Sequence, residues 1–327
     1  MRTMVTGGAG FIGSTLVDRL LAEGHQVDVV DDLSTGSLSN LAEARAEAGR
    51  ALTIHHLDIT LPEVVDLMAR RRPEVVFHLA AQADVGVSHA RPAFDAGVNI
   101  IGSINVLEGA LAAGSERIVF AASGDTLYGE PAPSELPVRE SQAHHPLSPY
   151  AVSKKAVLDY LVAYRELHAL EFVALALTNV YGPRQGAGGD SGVVSVFANR
   201  LVAGEPVTIF GTGKQTRDFV YVDDVADAFV RAASRGGGLV CNVGTGREVA
   251  IDELYRVMAA ETGVTTEPRL APARPGEVMR ICLNVERAAI QLGWRSWTTL
   301  DEGVRAVLEH ASRLRDRPER PAAPPVR

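Results

Sequence analysis

A chain of 327 residues, 46% hydrophobic and 22% charged, has room for one large core with a smaller lobe attached and is ordinary for a globular enzyme. Its formal net charge of -8 argues against the clustered basic surface that a nucleic-acid backbone requires. The only cysteines, Cys241 and Cys282, lie far apart without metal-ligand spacing, so neither a disulfide framework nor a metal site is expected, and a reducing cytoplasm is the expected setting.

Met1-Arg2-Thr3 runs directly into an apolar segment with no targeting pattern, and no stretch is read as approaching the roughly 20 apolar residues that span a bilayer. Short, almost continuously apolar runs then alternate with helical patterns. Residues Thr3 to Thr6, Gln26 to Val30, Leu52 to Leu57, Val75 to Leu79, Arg117 to Ala121 and Phe172 to Leu177 are predicted strands. Strands apolar on both faces belong to a parallel sheet covered on both sides, so the predicted fold is α/β, a Rossmann-type doubly wound sheet. Beyond Asn179 the rhythm changes to Gly- and Pro-punctuated loops, a helix over Val193 to Ala203, and short strands near Val207 to Phe210 and Phe219 to Val222. The expected division is residues 1–178 for dinucleotide binding and 179–314 mainly for a smaller α/β substrate lobe, some of it returning to the first domain. A Pro- and Arg-rich tail over 315–327 is expected to be disordered.

Directly after the first strand, Gly7, Gly10 and Gly13 punctuate Thr6-Gly7-Gly8-Ala9-Gly10-Phe11-Ile12-Gly13 before an amphipathic helix reaching Glu23. Glycines so placed allow a tight turn, close backbone approach to a pyrophosphate and close helix packing, with the helix N-terminus attracting the anion. Asp31, ending the second strand, is placed to accept from adenosine ribose hydroxyls and to repel a 2'-phosphate, which favours NAD over NADP. Asp58, with Ile59 after the third strand, either contacts the adenine or caps the following segment.

Tyr150 and Lys154 open a later helix four residues apart, which puts phenol and ammonium on one face. A neighbouring cation would lower the tyrosine pKa towards the range of a working base.

With these motifs in place, the chain resembles the extended short-chain dehydrogenase/reductases, and within them the bacterial UDP-glucose 4-epimerases, over nearly all of residues 1 to 312. The resemblance also rests on His78-Leu79-Ala80-Ala81-Gln82, Asn99, Leu127-Tyr128-Gly129-Glu130, Ser148-Pro149-Tyr150, Asn179-Val180-Tyr181-Gly182-Pro183-Arg184, Arg217-Asp218-Phe219-Val220-Tyr221-Val222-Asp223-Asp224, Asn242-Val243-Gly244-Thr245-Gly246 and Arg274-Pro275-Gly276-Glu277. It implies a UDP-hexose 4-epimerase using NAD. Phe11, Ile12, Ala80, Ala81 and Gln82 would line the cofactor with Asn99 in support, and Asn179, Arg217 and Arg274 would hold the substrate diphosphate. Ile281 would stand at the position that gates the sugar 2-substituent. It also implies a homodimer, paired through the helices near Pro92 to Ala113 and Ser148 to His168.

One departure concerns the third catalytic member, a hydroxyl shortly before Tyr128. Gly124 stands where the resemblance would put a serine, so the hydroxyl must come from Ser123 or Thr126, with Thr126 preferred. Asp125 matches the acid of related dehydratases, but Thr126 replaces their adjacent glutamate. That removes the proton-handling base that dehydration needs. A uronate substrate would need one further cation, for which Arg184 and Arg280 are the candidates. A non-catalytic NAD-binding regulator is the reading from a different class.

Overall fold

In the computed structural model, neighbouring residues of each central strand enter different cores. The structure describes residues 1–186, 192–273 and 278–316. Met4, Val30, Val76 and Ile118 pack into one apolar cluster, whereas Val5, Val29, Phe77 and Val119 pack into another. Side chains alternate across a strand, so a strand apolar at every position must be covered on both faces.

The strands in chain order are β1 (Arg2–Thr6), β2 (Gln26–Asp31), β3 (Leu52–His56), β4 (Val75–His78), β5 (Arg117–Ser123), β6 (Glu171–Leu177), β7 (Asn179–Tyr181), β8 (Thr208–Phe210), β9 (Thr216–Arg217), β10 (Phe219–Tyr221), β11 (Leu239–Val243), β12 (Val249–Ala250) and β13 (Arg269–Ala271). Seven form one sheet in the order β11-β6-β5-β4-β1-β2-β3, and every adjacent pair in it is parallel. This is the doubly wound sheet the sequence predicts. Strand order reverses between β1 and β4, which opens a crevice at their carboxyl ends where such sheets bind ligands.

Of the residues after 178, β11 joins the central sheet beside β6, and the Val222–Ala232 helix packs on the Phe11–Ala22 helix. A third apolar cluster gathers Phe197, Leu201, Ile209, Tyr255, Met258 and Leu308 from the later helices and strands. The Leu300–Arg315 helix continues through the first residue of the expected tail, and residues 317–327 lie outside those described.

One expectation is corrected. The helical run Pro92–Ala113 is long and apolar enough, by length and composition alone, to cross a membrane. Here it packs against the Glu63–Arg71 and Pro149–His168 helices, with Asp95, Asn99 and Ser103 all buried. Its apolar length serves packing against the sheet. A π-helical turn at Gly97–Ile101 interrupts the run and carries Asn99; such turns recur near functional sites.

Candidate active site

At Gly7 and Gly13 the turn closes too tightly for a side chain. Gly7 has φ +72°, and a Cβ there would lie 2.6 Å from the Ala80 nitrogen. At Gly13 a Cβ would lie 2.1 Å from the Gly7 carbonyl oxygen, which brings the Phe11–Ala22 helix against the turn. Gly10 is the N-cap of that helix, and no side chain caps its first-turn amides. Asp31 ends β2 almost fully buried, its two oxygens accepting from the Ala9 amide at 2.8 Å and the Leu33 amide at 2.9 Å. Burial raises its pKa, and the two amides oppose that rise. Each carboxylate oxygen has a further lone pair, so the same group can also accept a diol. An uncapped helix end, glycines packed against neighbouring backbone and a carboxylate at the next strand end together fit a dinucleotide.

The remaining predicted cofactor residues line the turns at this end of the sheet. Asn99 accepts from the Gln82 amide and donates to its carbonyl, both at 2.9 Å, which fixes the Ala80-Ala81-Gln82 segment after β4. Asp58 Oδ1 accepts from the Thr60 amide at 2.8 Å, a local cap, and Ile59 is buried with its carbonyl accepting from Asn105. Below them His78 is wholly buried between Thr6 at 2.7 Å and Ser103 at 2.9 Å, and its pKa falls to about 3 through burial, with the Lys154 charge adding to the effect.

Ser148 caps the Pro149–His168 helix by accepting from the Ala151 amide, and Pro149 occupies its first turn. Tyr150 is thereby fixed at the helix start, half-buried, with Lys154 one turn on and almost fully buried. Ser123, at the end of β5, is the hydroxyl that bears on Tyr150 and favours its ionisation. Thr126 stands one step behind, its hydroxyl donating to Ser123 Oγ at 2.8 Å. Of the two candidate hydroxyls, Ser123 acts on Tyr150 and Thr126 acts on Ser123. Gly124 could not supply a hydroxyl, because a Cβ there would lie 2.4 Å from Leu283 and 2.9 Å from the Ala176 carbonyl oxygen.

The electrostatics also differ from the sequence expectation. Burial raises the Tyr150 pKa above its ordinary value, and the carboxylates of Asp125 and Asp95 add to the rise, while the nearby Ser123 hydroxyl opposes it. Lys154 points its ammonium to the Ala121 carbonyl at 3.0 Å, and burial lowers its pKa to about 8 with Asp95 opposing. In the protein alone, desolvation outweighs the help that a lysine neighbour gives a phenolate.

Asn179 begins β7, directly beside the β6 end, and its Nδ2 is buried without a hydrogen-bond partner. Arg217 on β9 donates to the Thr216 carbonyl, and its charge acts on Asp125 across the crevice. Ile281 is 1% exposed and belongs to the apolar cluster that also holds Leu127 and Leu283. Arg274 lies outside the described residues. Two further acids organise the site. Asp218, with no exposure, accepts from the Thr245 amide and hydroxyl and from the Gly246 and Leu283 amides, which ties three loops beside Arg217. Asp95 accepts from Ser153 at 2.6 Å, from Gln82 at 2.9 Å and from Asn99 at 3.0 Å, which joins the cofactor loop to the Tyr150 helix.

A glycine turn at the switch point and a hydroxyl, tyrosine and lysine at the neighbouring strand ends define a nicotinamide-dependent enzyme of the dehydrogenase/reductase type. Residues 3–244 match the NAD dependent epimerase/dehydratase family, and the chain belongs to it. A UDP-glucose 4-epimerase of Mycolicibacterium smegmatis is 46% identical over 310 residues, covering 94% of this chain and 98% of the relative. The UDP-glucose 4-epimerase of Thermotoga maritima, solved with UDP-glucose, is 39% identical with a TM-score of 0.92, covering 97% of this chain and 100% of that one. The Thermus thermophilus UDP-glucose 4-epimerase, solved with NAD, is 38% identical with a TM-score of 0.87, covering 95% and 99%.

Proposed function

We propose that the chain catalyses NAD-dependent 4-epimerisation of a UDP-hexose, interconverting the glucose and galactose configurations through a transient 4-keto sugar. The observation that carries this reading is the grouping of Tyr150, Lys154 one helical turn on, and Ser123 at the end of β5, on the sheet end that bears the glycine turn. NAD held there supplies reversible hydride acceptance from C4 and, when oxidised, a positive charge that offsets the burial of Tyr150.

Tyr150 takes the O4 proton and later returns it, Ser123 polarises the same oxygen, and Thr126 steadies Ser123 from behind. Lys154 holds the cofactor ribose, and Asp31 holds the ribose at the adenine end. Phe11 and Ile12 present amides to the pyrophosphate, and Ala80, Ala81 and Gln82 line the cofactor with Asn99 beneath them. Asp58 and Ile59 border the adenine. The unpartnered Nδ2 of Asn179 supports a hydrogen bond to the substrate diphosphate, and Arg217 and Arg274 supply its positive charge. An anchor confined to the diphosphate would leave the 4-keto ring free to turn and present its other face to the cofactor.

Plain hexoses are favoured over uronates, because the two candidate cations are engaged elsewhere. Arg184 is held by Asp18 at 2.6 Å, and Arg280 is bidentate on Glu248 at 2.7 and 2.9 Å. Exposed Phe94, Ile101, Val152 and Val162 on the two long helices support pairing with a second copy through these faces.

The test is incubation of the protein and NAD with UDP-galactose, UDP-N-acetylgalactosamine and UDP-galacturonate separately, with products resolved against 4-epimer standards. Conversion of UDP-galactose is expected to be the fastest. No conversion of any of them by NAD-loaded protein would overturn the reading.

A further inference from the structure

Asp125 is a charged residue in contact with Ser123 to which the proposed reaction gives no task. Its Oδ1 accepts the Ser123 hydroxyl at 2.6 Å, while Ser123 Oγ accepts from Thr126 at 2.8 Å. A hydroxyl has a single proton to donate and two lone pairs with which to accept. With that proton on Asp125 and one lone pair taken by Thr126, Ser123 can offer Tyr150 only its remaining lone pair. Only a protonated tyrosine can use it. A phenolate at Tyr150, or a developing alkoxide on the sugar, needs the Ser123 proton turned the other way.

We propose that Asp125 is a positioning residue that holds the Ser123 proton away from Tyr150 and the sugar oxygen, so the serine supports the reacting pair only when the carboxylate releases that proton. No bond to carbon and no electron transfer is involved; one hydroxyl proton changes its acceptor. The proposal rests on the reading of Tyr150 as the acid–base group.

The surroundings make Asp125 the controlling neighbour. Four other titratable groups lie around the pair. Asp95, from the helical run Pro92–Ala113, opposes Tyr150 ionisation but already accepts from Ser153, Gln82 and Asn99. Lys154, on the helix of Tyr150 itself, is turned to the Ala121 carbonyl. Arg217, from β9, stabilises the charge on Asp125, and His78, from β4, is held neutral. Asp125 is thus the acid that touches Ser123 directly and also opposes Tyr150 ionisation through its charge.

The experiment compares wild type, Asp125→Asn and Asp125→Ala, each loaded with NAD. An amide at 125 can donate to Ser123, and alanine makes no demand on it, so both variants free the Ser123 proton for Tyr150. The acidic limb of the kcat/KM profile is expected to move down by on the order of one pH unit. The tyrosinate ultraviolet difference signal, taken relative to Tyr150→Phe, is expected to move the same way. Repeating Asp125→Asn in a Ser123→Ala background separates relay from charge, and most of the shift should vanish there. An unmoved or upward shift in both variants would overturn the proposal, and so would an equal shift without the Ser123 hydroxyl. The tyrosinate titration needs NAD but no turnover, so a wild type that epimerises nothing would sink the functional reading and leave this inference to be judged on the titration.

Discussion

Leu283 fills the space into which a side chain on Gly124 would project, its Cδ1 lying 2.4 Å from where that Cβ would be. The Ala176 carbonyl oxygen, 2.9 Å from the same point, is backbone and cannot swing aside. Gly124→Ser therefore overpacks a well-filled core and is expected to destabilise the protein by roughly 1–3 kcal/mol in urea unfolding. It should bring no gain in turnover. Leu283→Ala is costly alone, but the double variant should be less destabilised than the sum of the two. A stable, faster Gly124→Ser enzyme would mean that the loop opens and that glycine is not required.

Ser123 and Thr126 are ranked by their contacts, and the ranking can be measured. Removing the hydroxyl next to Tyr150 with Ser123→Ala should lower kcat by about 10²–10⁴-fold, the usual contribution of a positioned proton-handling group. NAD content should be unchanged. Thr126→Val removes one neutral hydrogen bond, worth about 1 kcal/mol, so a loss of about tenfold or less is expected. The reverse order of losses would make Thr126 the reacting hydroxyl.

What the sequence could tell, and what it could not, follows from the range of the forces involved. The strands β1 to β6 were legible because burial on both faces writes itself as an apolar run, and the Val193–Ala203 helix because its period is local. That β11 lies beside β6 was not legible, since 61 residues separate the two strands and nothing in Leu239–Val243 names its neighbour. The choice between Ser123 and Thr126 turns on how a short helix leaves β5, a rotation that residue spacing does not fix. The sign of the Tyr150 shift depends on burial against Asp125 and Asp95, neither of which a four-residue spacing to Lys154 reveals. Asp95 and Ser153 meet across 58 positions, and each alone reads as an ordinary polar helix residue.

Asp31 serves the fold as well as the cofactor. Its oxygens hold the Ala9 amide of the glycine turn and the Leu33 amide, so Asp31→Ala leaves buried donors without an acceptor. A loss of about 1–3 kcal/mol in stability is expected from that alone. NAD affinity should fall, and the preference for NAD over NADP should narrow because the negative charge facing a 2'-phosphate is gone. Calorimetric titration with each cofactor, alongside thermal unfolding, checks both effects. Unchanged stability with altered cofactor preference would mean that water replaces the carboxylate on those amides.

His78 should make the fold sensitive to mild acid. Burial between Thr6 and Ser103 lowers its pKa to about 3, whereas an exposed histidine in the unfolded chain titrates near its ordinary value of 6.5. Below that ordinary value the unfolded chain takes up a proton that the folded protein refuses, so stability is full above it and falls as pH drops towards 3. At pH 5 the loss amounts to about 2 kcal/mol, at 1.36 kcal/mol per pH unit. A neutral replacement such as His78→Gln costs hydrogen-bond geometry and packing at every pH but cannot take up a proton. The stability gap between wild type and His78→Gln, measured by urea unfolding, should therefore shrink by about 2 kcal/mol between pH 7 and pH 5. A gap that stays constant would mean that the folded protein accepts the charge at His78, and that the buried Thr6–His78–Ser103 chain beneath the glycine turn rearranges to accommodate it.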